Sequence, residues 1–450
     1  MRAHPTAVIV LLYLLVNAFI WVAADPGCRV VGASCYEAAN HWAAPIAQAL
    51  LEYGAPVWPD NPSEPFTAWP PGGAFIEAMT RVIGPSDSVA LYVALQIAAT
   101  LAVGFLVRSL VNEVRAPYGD AAMAIFLLNP NVLTLANMPQ GEIFQMCLVA
   151  LAFACIWRFA VRPSLFFPIA CGALLGISTL VRPDTLYLCV ILPVAFPLLA
   201  WAAGHRRYAW KAIGGGIAGT ILAFAILSPW YMYVAKSGEG VRFAERSQEY
   251  LYFLDNLRFL SPDAPGRLVP EVKRTYWQKQ DAVFAETVPG WETMTDRERA
   301  VLRLDAIHRY YLSGEISGAV MAEALVWSWA RTLLNPGSSW TQTLFTGEDP
   351  DAAGPAPLVL QAPGAAYTLL ARLLGLLGLF ELARRRRYDL LLAFTGLFSY
   401  FLMIHLFNGQ SRYRVPMEPQ LAMVAAFGLA WCVERLSLGR VLRRNVRGAA

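Results

Sequence analysis

The side chains best placed for chemistry in this sequence are polar groups at the ends of long apolar runs. They are Glu142, Arg182, Asp184, Arg412 and Arg414, with Tyr413 between the last two. A guanidinium group keeps its charge when it is partly removed from water, and it binds phosphate oxygens through two parallel hydrogen bonds. A positioned carboxylate accepts a proton from a reacting group. These residue types indicate a site that binds phosphate and has acids close by.

The composition shows which class of protein carries these groups. Of the 450 residues, 57% are hydrophobic and 15% are charged, whereas soluble domains carry about 25% charged residues. The formal net charge of +4 is small, and no basic run is interleaved with aromatic residues, so no nucleic-acid partner is predicted. Most of the chain must therefore lie in a membrane, with membrane lipids around it.

Ten apolar runs are long enough to cross a bilayer as helices. The sequence thus predicts an all-α polytopic membrane protein, a bundle of about ten transmembrane helices. The first run is predicted to be an uncleaved anchor, because its apolar stretch is longer than that of a usual signal peptide. A further apolar segment, 318–334, carries Glu323 and Arg331 and is predicted to be an interfacial or re-entrant helix. The ten runs are 6–24, 88–107, 121–138, 142–161, 165–181, 185–203, 212–234, 364–383, 388–407 and 415–433.

The distribution of lysine and arginine predicts the orientation. With a cytoplasmic N-terminus, the basic connections, including the run 384–387, all lie inside. The predicted organisation is an N-terminal membrane block, 1–234, with a first outer loop, 25–87, then an extracytoplasmic loop domain, 235–363. A C-terminal membrane block with a cytoplasmic basic tail, 364–450, follows. Arg182, Arg412 and Arg414 then lie on the outer side, where positive charge is less common, and this favours one shared site.

The first outer loop supplies a further acid. Glu37 precedes an amphipathic segment, 47–53, which ends at Gly54 and is followed by the turn Pro70-Pro71-Gly72. A carboxylate on such elements would be held rigidly near the membrane surface. Asp60 and Glu64 lie in the same loop, so the sequence leaves open which acid points towards the site.

Cysteine and histidine give no sign of a metal centre. Five of the seven cysteines fall in apolar runs, and only Cys28 and Cys35 lie together outside them, where they could pair if that side is oxidising. No cluster of histidine and carboxylate has ligand spacing, and His41 and His405 are more typical of packed or interfacial histidines than of ligands. The sequence therefore predicts neither a metal nor a cofactor.

The order of several short motifs resembles that of a known family, the membrane glycosyltransferases of the GT-C fold. This class includes the protein O-mannosyltransferases and the lipid A aminoarabinose transferase. The motifs follow an N-terminal anchor and an acidic first loop, and the likeness covers most of the apolar runs but not the large outer loop. In chain order they are Pro70-Pro71-Gly72, Leu127-Leu128-Asn129-Pro130, Gln140-Gly141-Glu142, Val181-Arg182-Pro183, Ser228-Pro229-Trp230 and Arg412-Tyr413-Arg414-Val415-Pro416.

The resemblance implies inverting transfer of a sugar, as a hexosyl- or pentosyltransferase. The donor would be a sugar on a polyprenyl monophosphate carrier, and the acceptor a lipid, polysaccharide or protein outside the cytoplasmic (inner) membrane, with the active site on that side. The family's first-loop acid maps onto Glu37 as the base, and its second acid onto Glu142. The phosphate side maps onto Arg182, with Asp184 beside it, or onto Arg412-Tyr413-Arg414.

The chain departs from the family pattern at two positions. The family usually has aspartate where Glu37 stands, and a cation that is expected after Ser228-Pro229-Trp230 is replaced in Tyr231-Met232-Tyr233-Val234-Ala235. The chemistry nevertheless agrees with the resemblance, because inverting transfer needs a base for the acceptor proton and a cation near the departing phosphate.

Two other functions use the same arginines. A carrier or flippase for lipid-linked sugars would bind phosphate without chemistry, but the chain lacks the internal repeat of many transporters. An O-antigen-ligase-like transferase would use a pyrophosphate carrier; the Pro70-Pro71-Gly72 turn and the first-loop acid favour the monophosphate class. A structural membrane scaffold would leave the outward arginines unexplained.

Overall fold

A computed structural model describes residues 4–31, 43–58, 61–67, 69–85, 89–239, 284–294, 302, 318–347, 358–405 and 410–447. Within these residues the chain is almost entirely helical, and the single sheet pairs two short antiparallel strands. The membrane-protein class predicted from the sequence is confirmed. The elements are α1 (Pro5–Ala23), α2 (Ala43–Tyr53), β1 (Val57–Trp58), β2 (Asn61–Pro65), α3 (Gly72–Ile83), α4 (Ala90–Arg115), α5 (Gly119–Leu127), α6 (Pro130–Ala136), α7 (Glu142–Val161), α8 (Phe166–Val181), α9 (Leu186–Ala202), α10 (Ala209–Val234), α11 (Gly318–Leu334), α12 (Ser338–Thr346), α13 (Leu358–Arg384), α14 (Tyr388–Ile404) and α15 (Glu418–Arg447).

Helices lie at all ten of the predicted spans, but not every one is long and apolar enough to cross a membrane. Among the described residues, six helices are long and apolar enough to cross a membrane, or seven if α5 and α6 form one broken span. The helices α8 and α14 are shorter apolar helices, and the tenth predicted run lies in the first part of α15. Helices dominate because the backbone of a spanning segment must satisfy its hydrogen bonds internally.

The span predicted at 121–138 is broken rather than continuous. The helices α5 and α6 meet at an angle of 58°. Pro130 cannot donate a backbone hydrogen bond to the preceding turn, and the Asn129 side chain accepts hydrogen bonds from the backbone of Asn131 and Val132. Asn129 therefore begins a new helix at the point where a single straight helix was predicted.

Close helix contacts fix the helices that carry the polar groups. The helix α8 packs between α7 and α10, and α13 packs against α15. A Cβ atom added to Gly172 of α8 would lie 2.1 Å from the carbonyl oxygen of Gly219 in α10. Only residues without a side chain allow two helix backbones to approach so closely, so this crossing fixes α8 and the residues that follow it.

Polar clusters occupy both ends of the helix α4. Near its start, the Gln96 side chain donates to the carbonyl oxygen of Gln140 at 2.6 Å. At its end, Arg115 donates to Glu381 at 3.0 Å and to Glu434 at 2.5 Å. The second cluster joins α4 to α13 and α15. The orientation of the bundle in the membrane stays a prediction.

Elements between the two membrane blocks pack onto the bundle. The helix α11 begins at Gly318, as the apolar segment predicted, and the backbone of Asp25 donates to the carbonyl oxygen of Leu344 in α12 at 2.9 Å. The helix α13 begins at Leu358, before the predicted start of its span, and continues through Pro363. Much of the segment 235–363 lies outside the described residues.

Candidate functional site

Arg182 connects the helices α7 and α8 through their adjacent ends. Its Nη1 atom contacts the Glu142 carboxylate, and its Nε atom donates to Asp184 Oδ2 at 3.0 Å. Pro183 ends α8 and forces Arg182 into an extended conformation, with φ of −150° and ψ of 137°. The Arg182 side chain is 13% exposed, while both carboxylates are buried. One guanidinium group thus lies between two buried acids at a helix junction.

The Tyr413 ring is a shared platform for two arginines. The guanidinium carbon of Arg182 lies 5.7 Å from the ring centroid, and that of Arg412 lies 5.0 Å from it. Arg412 also donates to the Tyr413 hydroxyl at 3.1 Å and lies 5.2 Å from the centroid of Trp340. These distances are within the range of cation–π attraction. The aromatic rings therefore hold two like charges close together.

Arg412 is the cation of this pair that forms no salt bridge with a described residue. Within the described part of the chain it forms no salt bridge, and its buried Nε atom has no hydrogen-bond partner. Arg182 is paired with Glu142 and Asp184, whereas Arg412 adds a second positive charge next to it, and an anion between the two guanidinium groups relieves their repulsion. The arrangement is chemically suited to an anionic group such as a phosphate.

Asp184 collects contacts from three helices. Its Oδ2 atom accepts from Arg182 and, at 3.4 Å, from Gln145 of α7. Its main-chain carbonyl oxygen accepts from the Tyr400 hydroxyl of α14 at 2.5 Å. The His405 Nε2 atom, just after α14, lies 3.9 Å from Oδ2. Asp184 therefore joins α7, α8 and the end of α14.

Arg414 lies in a different environment from Arg412, two residues away. Its side chain is fully buried, contacts Glu418, and donates to the carbonyl oxygens of Thr332, Leu333 and Asn335. These carbonyls end α11. Successive residues of a 3₁₀-helix point about 120° apart, and the segment Ser411–Met417 is such a helix, so Arg412 and Arg414 face different neighbours. Burial lowers the pKa of Arg414 to about 10, and it stays charged at neutral pH.

The first loop reaches the end of α8 through the predicted Pro-Pro-Gly turn. A Cβ atom added to Gly72 would lie 2.5 Å from the carbonyl oxygen of Leu180, so only glycine allows this approach. Beyond the turn, Glu77 and Arg81 of α3 form a buried ion pair one turn apart. Sequence reasoning overlooked Glu77, although its spacing from Arg81 was a visible signal.

Of the three acids predicted in the first loop, the structure describes one. Glu37 and Asp60 lie outside the described residues. Glu64 is exposed on β2, where the Asn61 side chain donates to it at 3.3 Å. Cys28 is disulfide-bonded, and Cys35 lies outside the described residues. The structure thus brings together Glu142, Arg182, Asp184, Arg412 and Tyr413, and it places Arg414 with Glu418.

The helix bundle also contains an apolar cavity of about 420 Å³. It lies between α7, α9 and α14, and Phe153, Leu188, Ala393 and Leu397 are among its lining residues. Ile191, Val194 and Leu198 also line it and are exposed on the outer face of the bundle. Leu188 follows Asp184 by one helical turn, and Leu397 precedes Tyr400. We call this cavity the α9–α14 groove; it opens at the exposed surface of the helix bundle, where Ile191, Val194 and Leu198 lie.

The described residues contain no group of three histidine, cysteine or carboxylate side chains that could hold a metal ion. The polar atoms at the cluster are guanidinium, carboxylate, amide and phenol groups. The chemistry that they offer is binding of an anion by two arginines, with carboxylates close by for proton transfer or for orienting those arginines.

Comparisons with known proteins identify the fold. No model of a known protein family matches the chain, and no curated protein matches it in sequence. Its structure is similar to the oligosaccharyltransferase AglB of Archaeoglobus fulgidus in complex with an inhibitory peptide and a dolichol-phosphate, with a TM-score of 0.52 and 13% identity over 98% of this chain and 52% of that chain.

Two further structures of the archaeal oligosaccharyltransferase are similarly close. The apo form gives a TM-score of 0.52 and 13% identity over 99% of this chain and 52% of that chain. The complex with Zn and sulfate gives a TM-score of 0.51 and 12% identity over 98% of this chain and 51% of that chain. The chain spans about half the length of that protein. At this level of identity the likeness is one of fold, and it confirms the expectation from the motif order: the chain has the GT-C fold.

Proposed function

We propose that this chain is a membrane glycosyltransferase that moves a sugar from a polyprenyl monophosphate carrier to an acceptor on the extracytoplasmic side of the cytoplasmic membrane. Arg182 and Arg412 bind the phosphate, and the α9–α14 groove holds part of the isoprenoid chain. The proposal includes the orientation predicted from lysine and arginine, which puts the polar cluster on the outer side.

The observation that carries this proposal is a pair of arginines over one aromatic ring in a helix bundle that also contains an apolar groove. Both guanidinium groups lie over the Tyr413 ring, and Leu188, one of the residues that line the groove of about 420 Å³, follows Asp184 by one helical turn. A lipid phosphate has the same two parts, an apolar chain and an anionic head. Few other ligands match both an apolar opening to the bilayer and a pair of arginines.

The reaction follows from these positions. The acceptor oxygen forms a bond to the anomeric carbon of the sugar, and the bond from that carbon to the phosphate oxygen breaks. The acceptor proton passes to a carboxylate, and the polyprenyl monophosphate leaves with its new negative charge next to Arg182 and Arg412. Cations placed where charge grows stabilise the transition state more than the ground state.

We assign the proton acceptor to Glu37 and a supporting role to Glu142. Glu142 is buried and its carboxylate is bound to Arg182, so it is already engaged by a guanidinium group. Glu142 then orients Arg182. We assign Arg414 to structural support, because Glu418 and three carbonyl groups bind its guanidinium group.

The archaeal oligosaccharyltransferase supports the choice of donor and of one acceptor class. That protein was solved with a dolichol-phosphate, a long-chain isoprenoid monophosphate, and with a peptide. By analogy of fold, a lipid-linked donor is proposed for this chain, and a protein acceptor is the first of the proposed classes to test.

The proposal is tested with purified protein in lipid vesicles and a radiolabelled sugar on a polyprenyl monophosphate. Incubation with an acceptor extract from which the lipid carriers have been removed should produce labelled acceptor together with free polyprenyl monophosphate. A pyrophosphate-linked donor should give less than about a tenth of this rate, since the second phosphate carries extra charge for the same two arginines. Movement of the intact labelled lipid across the vesicle without bond cleavage would instead identify a carrier, and a preference for the pyrophosphate donor would identify a ligase-like enzyme.

A further inference from the structure

Asp184 binds Arg182 through only one of its two carboxylate oxygens. Its Oδ2 atom accepts from Arg182 at 3.0 Å and from Gln145 at 3.4 Å, while its buried Oδ1 atom has no hydrogen-bond partner in the described part of the chain. Asp184 is 3% exposed. A buried carboxylate depends on its hydrogen-bond donors, because it has lost its water. Arg182 is its only cationic donor within the described residues.

His405 lies beside this carboxylate, at the end of α14. The residue is buried, and among the described residues neither nitrogen has a hydrogen-bond partner. Its ring stacks on Tyr413, with centroids 4.3 Å apart and planes 20° apart, and on Phe401 from the same helical turn. The edge of the ring faces Asp184, where Nε2 lies 3.9 Å from Oδ2. A buried polar ring without partners, aimed at a carboxylate, needs an explanation.

Binding of a phosphate would change what Arg182 contacts. In the present arrangement Arg182 is bound between Glu142 and Asp184. A phosphate that lies between Arg182 and Arg412 competes with both acids for the same guanidinium donors. When Arg182 turns to the phosphate, Asp184 loses its cationic donor while it stays buried, which is strongly unfavourable unless another donor replaces it.

We propose that His405 is a positioning residue that donates to Asp184 when Arg182 turns to the donor phosphate. This inference rests on the proposed function. A neutral imidazole has one N–H donor, and a shift of about 1 Å brings the 3.9 Å separation to hydrogen-bond distance. His405 stacks on Tyr413, the ring that both arginines contact, so a movement of this ring also moves His405. His405 thereby supports the partner exchange of Arg182 without touching the phosphate.

Two substitutions separate this role from packing. His405→Phe keeps an aromatic ring against Tyr413 and removes both nitrogens, while His405→Gln keeps a donor near the Nε2 position and removes the ring. A matched control is His205→Phe, because His205 lies at the α9–α10 connection, where its Nε2 atom contacts the carbonyl oxygen of Ala160 at 3.2 Å.

The readout is binding of a polyprenyl monophosphate without sugar to the full-length protein in detergent micelles. His405→Phe should weaken this binding by about ten-fold or more, as removal of a hydrogen bond to a charged group does. The affinity of His405→Gln should stay within about three-fold of the wild-type affinity. His205→Phe should leave the affinity unchanged. Equal weakening by His405→Phe and His405→Gln would overturn the inference, because it would assign the effect to stacking.

A double-mutant cycle with Asp184→Asn tests whether His405 acts through Asp184. Without the carboxylate charge, His405→Phe should change the binding by less than about two-fold, the usual limit for uncoupled effects. A ten-fold loss caused by His405→Phe both in the wild type and in Asp184→Asn would contradict the inference. Each double or single variant is compared with its own parent protein, so a general effect of Asp184→Asn on binding cancels. Wild-type protein that does not bind polyprenyl monophosphate would contradict the proposed function itself, whereas wild-type binding that His405→Phe leaves intact would contradict only the role of His405.

Discussion

Glu142 and Arg182, forty positions apart in the chain, form a salt bridge that joins the start of α7 to the end of α8. The position also suits the carboxylate, since a negative charge in the first turn of a helix interacts favourably with the helix dipole. Because Arg182 also binds Asp184, the salt bridge places one cation, with two acids, next to Tyr413. The assignment of roles at the site depends on this relationship.

The first prediction ranks the two acids. Glu37→Gln should turn over at least about a hundred-fold more slowly, the lower end of what a general base supplies, and should bind the lipid carrier almost normally. Glu142→Gln should have a milder effect, because it removes an ion-pair partner and no proton acceptor. Single-turnover rates and carrier binding of both variants provide the measurement. The opposite ranking would exchange the two roles, and normal turnover in both would place the base elsewhere.

Arg414 should be needed for stability rather than for carrier binding. Arg414→Ala removes three hydrogen bonds at the end of α11 and one partner of Glu418, which keeps its contact with Arg372 at 2.8 Å. We expect the free energy of unfolding to fall by about 3 kcal/mol, the lower end for breaking a buried ion pair. Unfolding in mixed micelles measures this loss. An Arg414→Ala protein of normal stability with greatly weakened carrier binding would return Arg414 to the phosphate site.

The α9–α14 groove should recognise the length of the carrier. A Cβ atom added to Gly396, which lines the groove, has no heavy atom within 4 Å, so Gly396→Phe introduces a large side chain at the groove from an open position. Displacing about two methylene groups of the lipid costs about 1.6 kcal/mol, which is roughly ten-fold in affinity. The affinity for a long carrier should fall, while that for a one-isoprene analogue should not. Gly214→Phe, at an equally open position on α10, is the control, and equal effects on both carriers would exclude the groove.

The predicted orientation is tested by labelling single cysteines. A cysteine at Gly290 should react with a membrane-impermeant reagent added from outside to intact cells, and a cysteine at Gly448 should react only after the cells are permeabilised. The distribution of lysine and arginine in the connections is the reason for this expectation. Equal labelling of both positions from outside would refute the topology.

The sequence predicted the parts of the fold that obey short-range rules. Apolar runs became helices because the bilayer leaves few other solutions for the backbone. The turn at Gly72 and the break at Pro130 also follow from local chemistry, although the sequence interpretation treated 121–138 as one span. The convergence of Glu142, Arg182 and Arg412 was expected from the side of the membrane that they share, and it corresponds to the observed cluster.

Contacts that depend on side-chain direction could not be read from the sequence. Arg412 and Arg414 are only two positions apart in the chain. In the 3₁₀-helix that contains them, their side chains point in different directions and contact different partners. His405 was interpreted as a packed or interfacial histidine, and its stacking on Tyr413 and its approach to Asp184 require the fold of α14. The buried pair of Glu77 and Arg81 was likewise visible as a spacing but not as a buried feature.

Release of polyprenyl monophosphate from a sugar-linked donor tests the central claim most directly. It is compared for the wild type, Arg182→Ala, Arg412→Ala and the double variant, with Arg206→Ala, an exposed arginine beside Trp201, as the control. Loss of one charged hydrogen bond costs about 1.5 to 3 kcal/mol, so each single variant should release the carrier roughly ten- to a hundred-fold more slowly. The double variant should be slower still, and the control should match the wild type. Near-normal release by the double variant, in protein that is correctly inserted, would contradict the account.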